Sequence, residues 1–310
     1  MNPQKTTVDW LRFRVQAEPR DVLEAMRPMF GEQGQWLNFK PLARGMLGFQ
    51  QALEIRLAQV PIGRMDYGGD SQRGWVRVDL NGKGCEWVED WEQVGALEEL
   101  PSSQVRRLDL ALTTWKGEMG HANVVQAHAD GRFITRGRPP NLRQIISSDP
   151  RAGRTCYIGE REKSDKFMRC YEKGYEICGK LESRFGMTFS KIDGFNVEDI
   201  YRCEVELKAV SSVIPWDVVD RRDQYFAGAY PFCADILPGI EADILQRRPA
   251  RQPQIDLNAA LANLKIQFGP TLYTALHAYG GDMTAVWDKV VGDHHSLPLV
   301  EAGVLLVEHE

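Results

Sequence analysis

Strict alternation of apolar and polar residues constrains the fold of this chain more than any other feature. Between Gln104 and Trp115 three alternate positions are leucine, and within Ile200–Lys208 the alternate positions are cysteine, valine and leucine. A further stretch, Thr155–Lys173, divides into two such runs around the polar turn Glu160–Asp165. A period of two places successive side chains on opposite faces of a strand. The pattern therefore predicts a largely antiparallel sheet with one apolar face, packed against helices.

The distribution of strand-like and helical segments divides the chain after residue 212. Up to that point the two kinds of segment are interspersed, which indicates an α+β domain spanning 1–212, as a single body or as two α+β lobes of about 1–102 and 103–212. Beyond it, helical runs separated by Pro and Gly predict a small helical C-terminal domain, 213–310. No internal repeat is strong enough to be identified from the sequence.

Several classes of protein are excluded by what the sequence lacks. No apolar run approaches the roughly 18 residues of a membrane span, and the N-terminus lacks the apolar stretch of a signal peptide, so we expect a cytoplasmic protein with no membrane partner. The six cysteines form no C-x-x-C pair, which disfavours a zinc ribbon and favours buried free thiols. A G-x-x-x-x-G-K-[ST] motif is also missing, which excludes a P-loop ATPase or helicase.

Basic residues are concentrated in one segment of an acidic chain. The net charge is −5, but between Arg132 and Lys173 eleven Lys and Arg stand against five Asp and Glu, which makes this segment +6. Because phosphate binding depends on local charge, the segment is compatible with DNA; a solvated basic loop is the alternative. The candidate DNA-binding residues are Arg136, Arg138, Arg154, Arg161, Lys163 and Lys166.

A tyrosine between two cations is the most unusual feature of the hairpin. Its strands are predicted at Thr155–Gly159 and Lys166–Lys173, so Arg169, Tyr171 and Lys173 fall on one face. Tyrosine can attack phosphorus and hold a covalent phosphotyrosine. Adjacent positive charge would lower the pKa of the tyrosine and hold a phosphate. For a single tyrosine in a strand, a structural role is the common alternative.

The other two strands carry carboxylates on their polar side. Asp109 lies on the first, and Glu204 and Glu206 lie on the second. Carboxylate oxygens are the ligands that Mg²⁺ and Mn²⁺ prefer, and such an ion offsets charge that builds on a phosphoryl group. The alternative is that the two glutamates belong to a cross-strand salt-bridge ladder. If the three strands are neighbours, their polar sides converge on one cleft.

The motifs of these strands resemble the replication initiation factor family, the rolling-circle initiators of filamentous phages and small plasmids. The opening V-D-W-L-R-F, the strand around Asp109 and a Gly-x-Gly-Cys segment at Gly82–Cys85, interpreted as a hairpin turn, also fit the family. The hairpin matches the family pattern at Thr155, Tyr157, Gly159, Arg161, Ser164, Asp165, Arg169, Tyr171, Glu172, Lys173 and Gly174, and the second carboxylate strand matches at Arg202, Glu204 and Glu206.

The resemblance implies an origin-specific endonuclease and strand transferase. It would nick one strand of double-stranded origin DNA, remain joined to the 5′ phosphate through a tyrosine, and later close the displaced strand. Tyr171 would be the nucleophile in preference to Tyr157 or Tyr175, with Arg169 and Lys173 holding the scissile phosphate.

Asp109, Glu204 and Glu206 would bind Mg²⁺ or Mn²⁺. The partners implied are a host helicase and polymerase in the bacterial cytoplasm, and a homodimer remains open. Two alternatives also remain: a non-catalytic, sequence-specific DNA-binding regulator that reads DNA with its helical tail, and a nuclease that hydrolyses DNA through water.

Overall fold

The computed structural model describes residues 4–247 and 257–301. In these ranges ten strands form one sheet in which every pairing is antiparallel, and two short strands form a separate hairpin. The predicted α+β class with a largely antiparallel sheet is confirmed. The strands are β1 Thr7–Val15, β2 Leu37–Leu42, β3 Gln51–Leu57, β4 Val60–Tyr67, β5 Val76–Leu80, β6 Gln104–Thr114, β7 Leu142–Ile146, β8 Arg154–Ile158, β9 Lys166–Tyr171, β10 Lys191–Ile192, β11 Phe195–Asn196 and β12 Tyr201–Lys208.

Ten α-helices are present in the same described ranges. Those that follow strands of the large sheet lie between residues 19 and 236, and the last three follow residue 256. They are α1 Pro19–Met26, α2 Gly82–Glu86, α3 Trp91–Gly95, α4 His121–Ala129, α5 Lys173–Phe185, α6 Arg222–Ala227, α7 Pro231–Ile236, α8 Leu257–Ala278, α9 Met283–Val290 and α10 Leu297–Glu301. None of these helices is both long enough and apolar enough to cross a membrane.

The order of the strands divides the large sheet into two halves with the same topology. The first half is β2-β3-β4-β5-β1 and the second is β6-β12-β9-β8-β7, joined where β1 pairs with β6. In each half the first strand (β1 or β6) lies at the centre of the ten-stranded sheet and is followed along the chain by a helix (α1 or α4). The next strand then lies at the outer edge, and the later strands return to pair with the first. This structural repeat escaped the sequence analysis because it resides in topology, with α5 and β10–β11 inserted in the second half only.

One face of the large sheet forms the core, as the alternation predicts. Leu11 of β1, Leu108 and Leu110 of β6 and Val205 of β12 are fully buried and belong to one apolar cluster with residues of α1, α4 and α6. The six cysteines are buried and free, which confirms that expectation. The opposite face of the sheet carries the charged residues of the same strands.

The chain separates into two compact units, Met1–Arg248 and Pro249–Glu310. The stretch that follows residue 212, which the sequence analysis assigned to the C-terminal domain, contributes Trp216, Phe226 and Phe232 to the core of the first unit. In the second unit the described segments are the helices α8, α9 and α10.

The segment after β5 differs from the hairpin turn that its Asn-Gly sequence predicts. β5 ends at Leu80, and the side chain of Asn81 accepts a hydrogen bond from the backbone N–H of Gly84, which caps α2. Asparagine is favoured both in tight turns and at helix N-termini, and here the capping role prevails. A Cβ at Gly84 would lie 2.3 Å from the carbonyl oxygen of Ile62, so the close approach of α2 to β4 requires glycine.

Candidate functional site

The three strands that carry the predicted site residues are direct neighbours in the order β6-β12-β9. In the register of the sheet, Glu206 of β12 is paired with Asp109 of β6, and Glu204 is paired with Arg169 of β9. Paired residues of antiparallel strands project from the same face. The structure therefore brings these four residues together on the polar face, as the hypothesis of a common cleft requires.

Arginines bind the carboxylates of Asp109 and Glu206. The guanidinium of Arg107 donates two hydrogen bonds to Asp109, at 2.8 and 2.6 Å, and lies 2.9 Å from an oxygen of Glu206. Arg161, from the turn between β8 and β9, donates to Glu206 at 2.9 Å. Both carboxylates are buried beneath these side chains.

Glu204 has a separate arginine. The Nη2 atom of Arg169 lies 3.0 and 2.7 Å from the two carboxylate oxygens of Glu204. Burial, assisted by Glu204 and Glu206 and opposed by Arg107, raises the pKa of Asp109 to about 7. The three carboxylates are thus each bound by at least one arginine, and at Asp109 burial outweighs that arginine in its effect on the pKa.

The carboxylates match a hard divalent cation in the type of ligand they offer and in their position on one face. Their present hydrogen bonds, however, are directed at arginine, and in residues 4–247 and 257–301 no three acidic, His or Cys side chains converge as a metal ion requires. Binding a cation here therefore requires the carboxylates to exchange arginine for the ion.

Tyr171 lies at the end of β9, paired with Arg202 of β12. The guanidinium carbon of Arg169 is 4.8 Å from the centre of the tyrosine ring, and the amine of Lys173 lies 3.4 Å from its hydroxyl. The residue is only 7% exposed. Three cations thus surround a tyrosine on the face that carries the carboxylates.

The expectation that the pKa of Tyr171 is lowered is wrong for the net shift. Burial raises the pKa of the phenol, and it outweighs the opposing effect of Arg202 and Arg169. The same burial, together with Arg202, lowers the pKa of Lys173. The pair therefore favours the neutral form of both groups more than either residue would in water.

Lys173 reaches the tyrosine from a helix and not from the predicted strand. β9 ends at Tyr171, Glu172 is the N-cap of α5, and Lys173 is the first helical residue. A Cβ at Gly174 would lie 2.0 Å from the carbonyl oxygen of Val197, so the tight start of this helix requires glycine.

The predicted DNA-binding residues do not lie together. Arg136, Arg138, Lys163 and Lys166 line one cavity of about 370 Å³. Lys166, however, is paired with Leu207 on the core side of the sheet, where its amine donates to the carbonyl of Ala229. This basic groove is therefore separated from the face that carries the tyrosine.

The other two candidates have acidic partners. Arg161 lies at the candidate site, bound to Glu206 and positioned over the ring of Phe167 at 5.7 Å. Arg154 lies three residues from Tyr157, so it is on the opposite face of β8, and it donates to Glu172 at 2.6 Å.

Arg202 is the functional candidate that the sequence analysis did not assign. It donates a hydrogen bond to the hydroxyl of Thr113 at 2.9 Å and lies 3.1 Å from Asp9, directly across from Tyr171. The spacing of arginine and two glutamates on β12 was visible in the sequence. Its position opposite the tyrosine depends on the strand register, which was not.

Residues 103–256, about half of the chain, match the model of the replication initiation factor family. Through this segment the chain belongs to that family, as its motifs indicated, and its role is in the initiation of DNA replication. A solved structure described as a rolling circle replication initiator protein from Geobacillus stearothermophilus is similar to this chain, with a TM-score of 0.46 and 23% identity over 66% of this chain and 74% of that one. No curated protein matches this sequence.

Proposed function

We propose that this protein is a rolling-circle replication initiator that nicks and rejoins one strand of origin DNA through a phosphotyrosine on Tyr171. The observation that supports this most directly is the adjacency of β9, β12 and β6, which unites the tyrosine, its cations and three carboxylates on one sheet face. Membership of the replication initiation factor family supplies the biological setting.

In the proposed reaction the hydroxyl oxygen of Tyr171 attacks the scissile phosphorus. The bond from phosphorus to the 3′ oxygen breaks, that oxygen takes up a proton, and the 5′ phosphate remains esterified to the tyrosine. Rejoining is the reverse: a 3′-hydroxyl attacks the phosphotyrosine and the phenol is released. The free 3′-hydroxyl formed in the first step is the end that a host polymerase would extend, while a helicase would separate the strands.

Lys173 is positioned to receive the proton of Tyr171. Its amine is 3.4 Å from the hydroxyl, and burial and Arg202 lower its pKa, so its neutral form is more accessible than that of an ordinary lysine. The same group would return the proton when the strand is rejoined. Because the pKa of Tyr171 is raised, the attack depends on such an acceptor.

Arg169 and Arg202 would hold the scissile phosphate. Although burial opposes it, the Glu204 carboxylate raises the pKa of Arg169, so this guanidinium stays charged. Arg169 packs over the tyrosine ring and Arg202 faces it across the strand pair, which places positive charge on two sides of the nucleophile. Fixed cations of this kind stabilise the charge that develops on a phosphoryl group.

Asp109, Glu204 and Glu206 would bind the divalent cation, Mg²⁺ or Mn²⁺. When bound, such an ion would polarise a phosphoryl oxygen and offset charge in the transition state. The carboxylates would then release Arg161 and Arg169, the two arginines whose side chains are already partly exposed, to contact DNA. Arg136, Arg138 and Lys163 would contact the backbone of the origin elsewhere on the protein.

The test compares Tyr171→Phe with Tyr157→Phe on a supercoiled plasmid that carries the cognate origin. Tyr157 is a matched control because it lies on the neighbouring strand β8, where it is paired with Arg169 of β9. We expect Tyr171→Phe to bind the origin but to lose nicking and covalent adduct by about 10⁴-fold or more, and Tyr157→Phe to retain both.

Each alternative gives a different result. A Tyr171→Phe protein that still forms a stable adduct would refute the assignment of the nucleophile. Origin binding without nicks at any Mg²⁺ or Mn²⁺ concentration would indicate the non-catalytic regulator. Nicks without a tyrosyl adduct would indicate hydrolysis by water.

A further inference from the structure

A second cationic groove lies on the polar face of the sheet. Its volume is about 490 Å³, and among the described residues that line it none is Asp or Glu. We call it the arginine groove; its polar and aromatic walls are formed by Arg12, Arg14, Trp75, Arg77, Arg106 and Lys208.

The arginine groove lies at the opposite end of the strands from Tyr171. On β12, Lys208 is six residues beyond Arg202, the residue paired with the tyrosine, which corresponds to about 20 Å of extended strand. Lys208 is paired with Arg107 of β6, which is paired in turn with Arg12 of β1. A row of cations therefore leads across the sheet from the edge of the carboxylate site into the groove.

The topology makes the arginine groove the counterpart of the tyrosine site. Arg14 of β1 is paired with Arg77 of β5 in the first half of the sheet, as Thr113 of β6 is paired with Arg202 of β12 in the second. The arginine groove and the tyrosine site thus lie over the same strand pair of their respective halves. At these positions the first half has Asp66 where the second has Tyr171, and Arg14 where the second has Thr113.

The acids nearest the groove do not use all of its hydrogen-bond donors. Arg77 forms ion pairs with Asp66 and Asp79, and Lys208 lies 3.4 Å from Glu206. In the described part of the chain, the Nε of Arg77 and the Nζ of Lys208 nevertheless have no hydrogen-bond partner. Both side chains line the groove and remain 11% and 14% exposed, so their positive charge can act on a phosphate in it.

Aromatic and apolar side chains distinguish this groove from a simple basic patch. The guanidinium carbon of Arg14 lies 4.1 Å from the ring centre of Trp75. Phe49 is half-buried in the wall, and Leu47 is 71% exposed at its rim. Cations that follow a backbone, combined with aromatic rings for unpaired bases, are the features of surfaces that bind single-stranded nucleic acid.

We propose that the arginine groove binds a single strand of DNA. Arg14, Arg77 and Lys208 contact backbone phosphates, and Trp75 and Phe49 contact bases. The proposal rests on the proposed function only for the identity of that strand, which is the nicked strand running along the polar face from Tyr171. Binding itself does not depend on the tyrosine chemistry.

The test measures binding of a fluorescent oligothymidylate of about 16 nucleotides and of a duplex of equal length. It is done with the full chain carrying Tyr171→Phe, so that no cleavage is required. Arg14→Gln is added to remove one cation, and Arg14→Lys to retain the charge. Lys191→Gln, at an exposed position of β10, is the control with the same change in charge.

We expect Arg14→Gln to lower the dependence of log affinity on log salt by about 0.7 for the single strand, the value of one phosphate contact. Arg14→Lys should keep the parent slope, and Lys191→Gln should leave both slope and affinity unchanged. Removal of the aromatic surface by Trp75→Leu should weaken single-strand binding about tenfold.

A second variant distinguishes a loss of binding from a loss of folding. Gln72→Glu places a negative charge at the wall of the groove on a residue outside the core, and should also weaken single-strand binding. The proposal is overturned if Arg14→Gln and Gln72→Glu bind the single strand like Lys191→Gln, or if they weaken only duplex binding. A protein that never nicks but shows groove-dependent binding would refute the proposed function and leave the groove assignment intact.

Discussion

Asp66 and Tyr171 occupy equivalent positions in the two halves of the sheet. Asp66 of β4 is paired with Arg77 of β5, and Tyr171 of β9 is paired with Arg202 of β12. In the first half the cross-strand pair is an ion pair, whereas in the second half the acid is replaced by tyrosine. Arg202 is thereby left without an acid on the strand that carries the tyrosine, and its ion pair is with Asp9 of β1.

The next cross-strand pair joins an arginine to an acid in both halves. Arg64 is paired with Asp79 in the first, as Arg169 is paired with Glu204 in the second. The first half is thus a complete salt-bridge ladder. Such a ladder was the alternative to metal binding for Glu204 and Glu206. The second half is the same ladder with a tyrosine in one position.

The halves also differ in how accessible their arginines are. The side chain of Arg64 is 25% exposed and that of its counterpart Arg169 is 37% exposed. The second half also carries Arg161, whose side chain is 56% exposed. Ion pairs at exposed positions contribute little to stability and exchange readily, but a buried pair cannot lose one partner without a large penalty. The comparison predicts that Arg161 and Arg169 exchange their partners more readily than the arginines of the first half.

The largest expected effect is on folding, at Asp66. Asp66→Asn leaves Arg64 and Arg77 beside a fully buried neutral group, so the free energy of unfolding should fall by about 3–5 kcal/mol. Tyr171→Phe, at the equivalent position, removes only a hydroxyl and should cost less than about 1.5 kcal/mol. Urea denaturation measures both values.

Glu54→Gln serves as the control for this pair of variants, because it breaks a partly exposed ion pair with Arg56 and should cost at most about 1 kcal/mol. If Tyr171→Phe were as destabilising as Asp66→Asn, the tyrosine would be a structural residue. The distinction between the two halves would then fail.

Local patterns were sufficient to predict the strands but not their neighbours. Alternation identified β6, β9 and β12, and the polar turn identified the β8–β9 hairpin, because these signals lie within a few residues. The pairing of Asp109 with Glu206 joins residues far apart in sequence, and it is determined by the packing of the whole core. The repeat of the two halves was hidden for the same reason.

Residue types at the site were predictable, but their environments were not. The predicted strand that includes Lys173 continues two residues beyond Tyr171, because Glu172 is the N-cap of α5 and Lys173 is its first residue. The sign of the Tyr171 pKa shift was wrong, because sequence shows adjacent charge but not burial. Arg202 acquires its role only through the register of β12 and β9.

A smaller effect is expected at Asp109, and it depends on pH. The pKa of Asp109 is raised to about 7 in the folded protein, so its contribution to stability is present below the unfolded pKa and is lost as pH rises through about 7. Asp109→Asn should therefore be more stable than the parent protein at about pH 8, by roughly 2–4 kcal/mol. The difference should shrink as the pH falls below about 7, and it should vanish only below the unfolded pKa of about 3.9.

Asp165 provides a control of opposite sign. Although partial burial opposes it, hydrogen bonds from Ser211 and Ser212 lower the pKa of Asp165, so Asp165→Asn should destabilise the protein at neutral pH. Denaturation curves across the pH range test both variants. If Asp109→Asn were less stable than the parent at every pH, Asp109 would be a satisfied member of a ladder, like Asp66. Under the proposed function, Asp109→Asn should also lose nicking, whatever its stability.

The smallest effect on folding is expected at Arg161, the most exposed arginine bound to the carboxylates of the second half. Arg161→Gln breaks a half-exposed ion pair with Glu206, so the free energy of unfolding should change by less than about 1 kcal/mol. If Arg161 exchanges Glu206 for a phosphate, the same variant should reduce the salt dependence of binding to duplex origin DNA by about 0.9, the value of one contact. Arg56→Gln, which breaks the comparable pair with Glu54 in the first half, should leave that slope unchanged. A large loss of stability in Arg161→Gln with an unaltered slope would mean that this arginine is fixed in the ladder. The carboxylates of both halves would then be equally unable to exchange their arginines for another ligand.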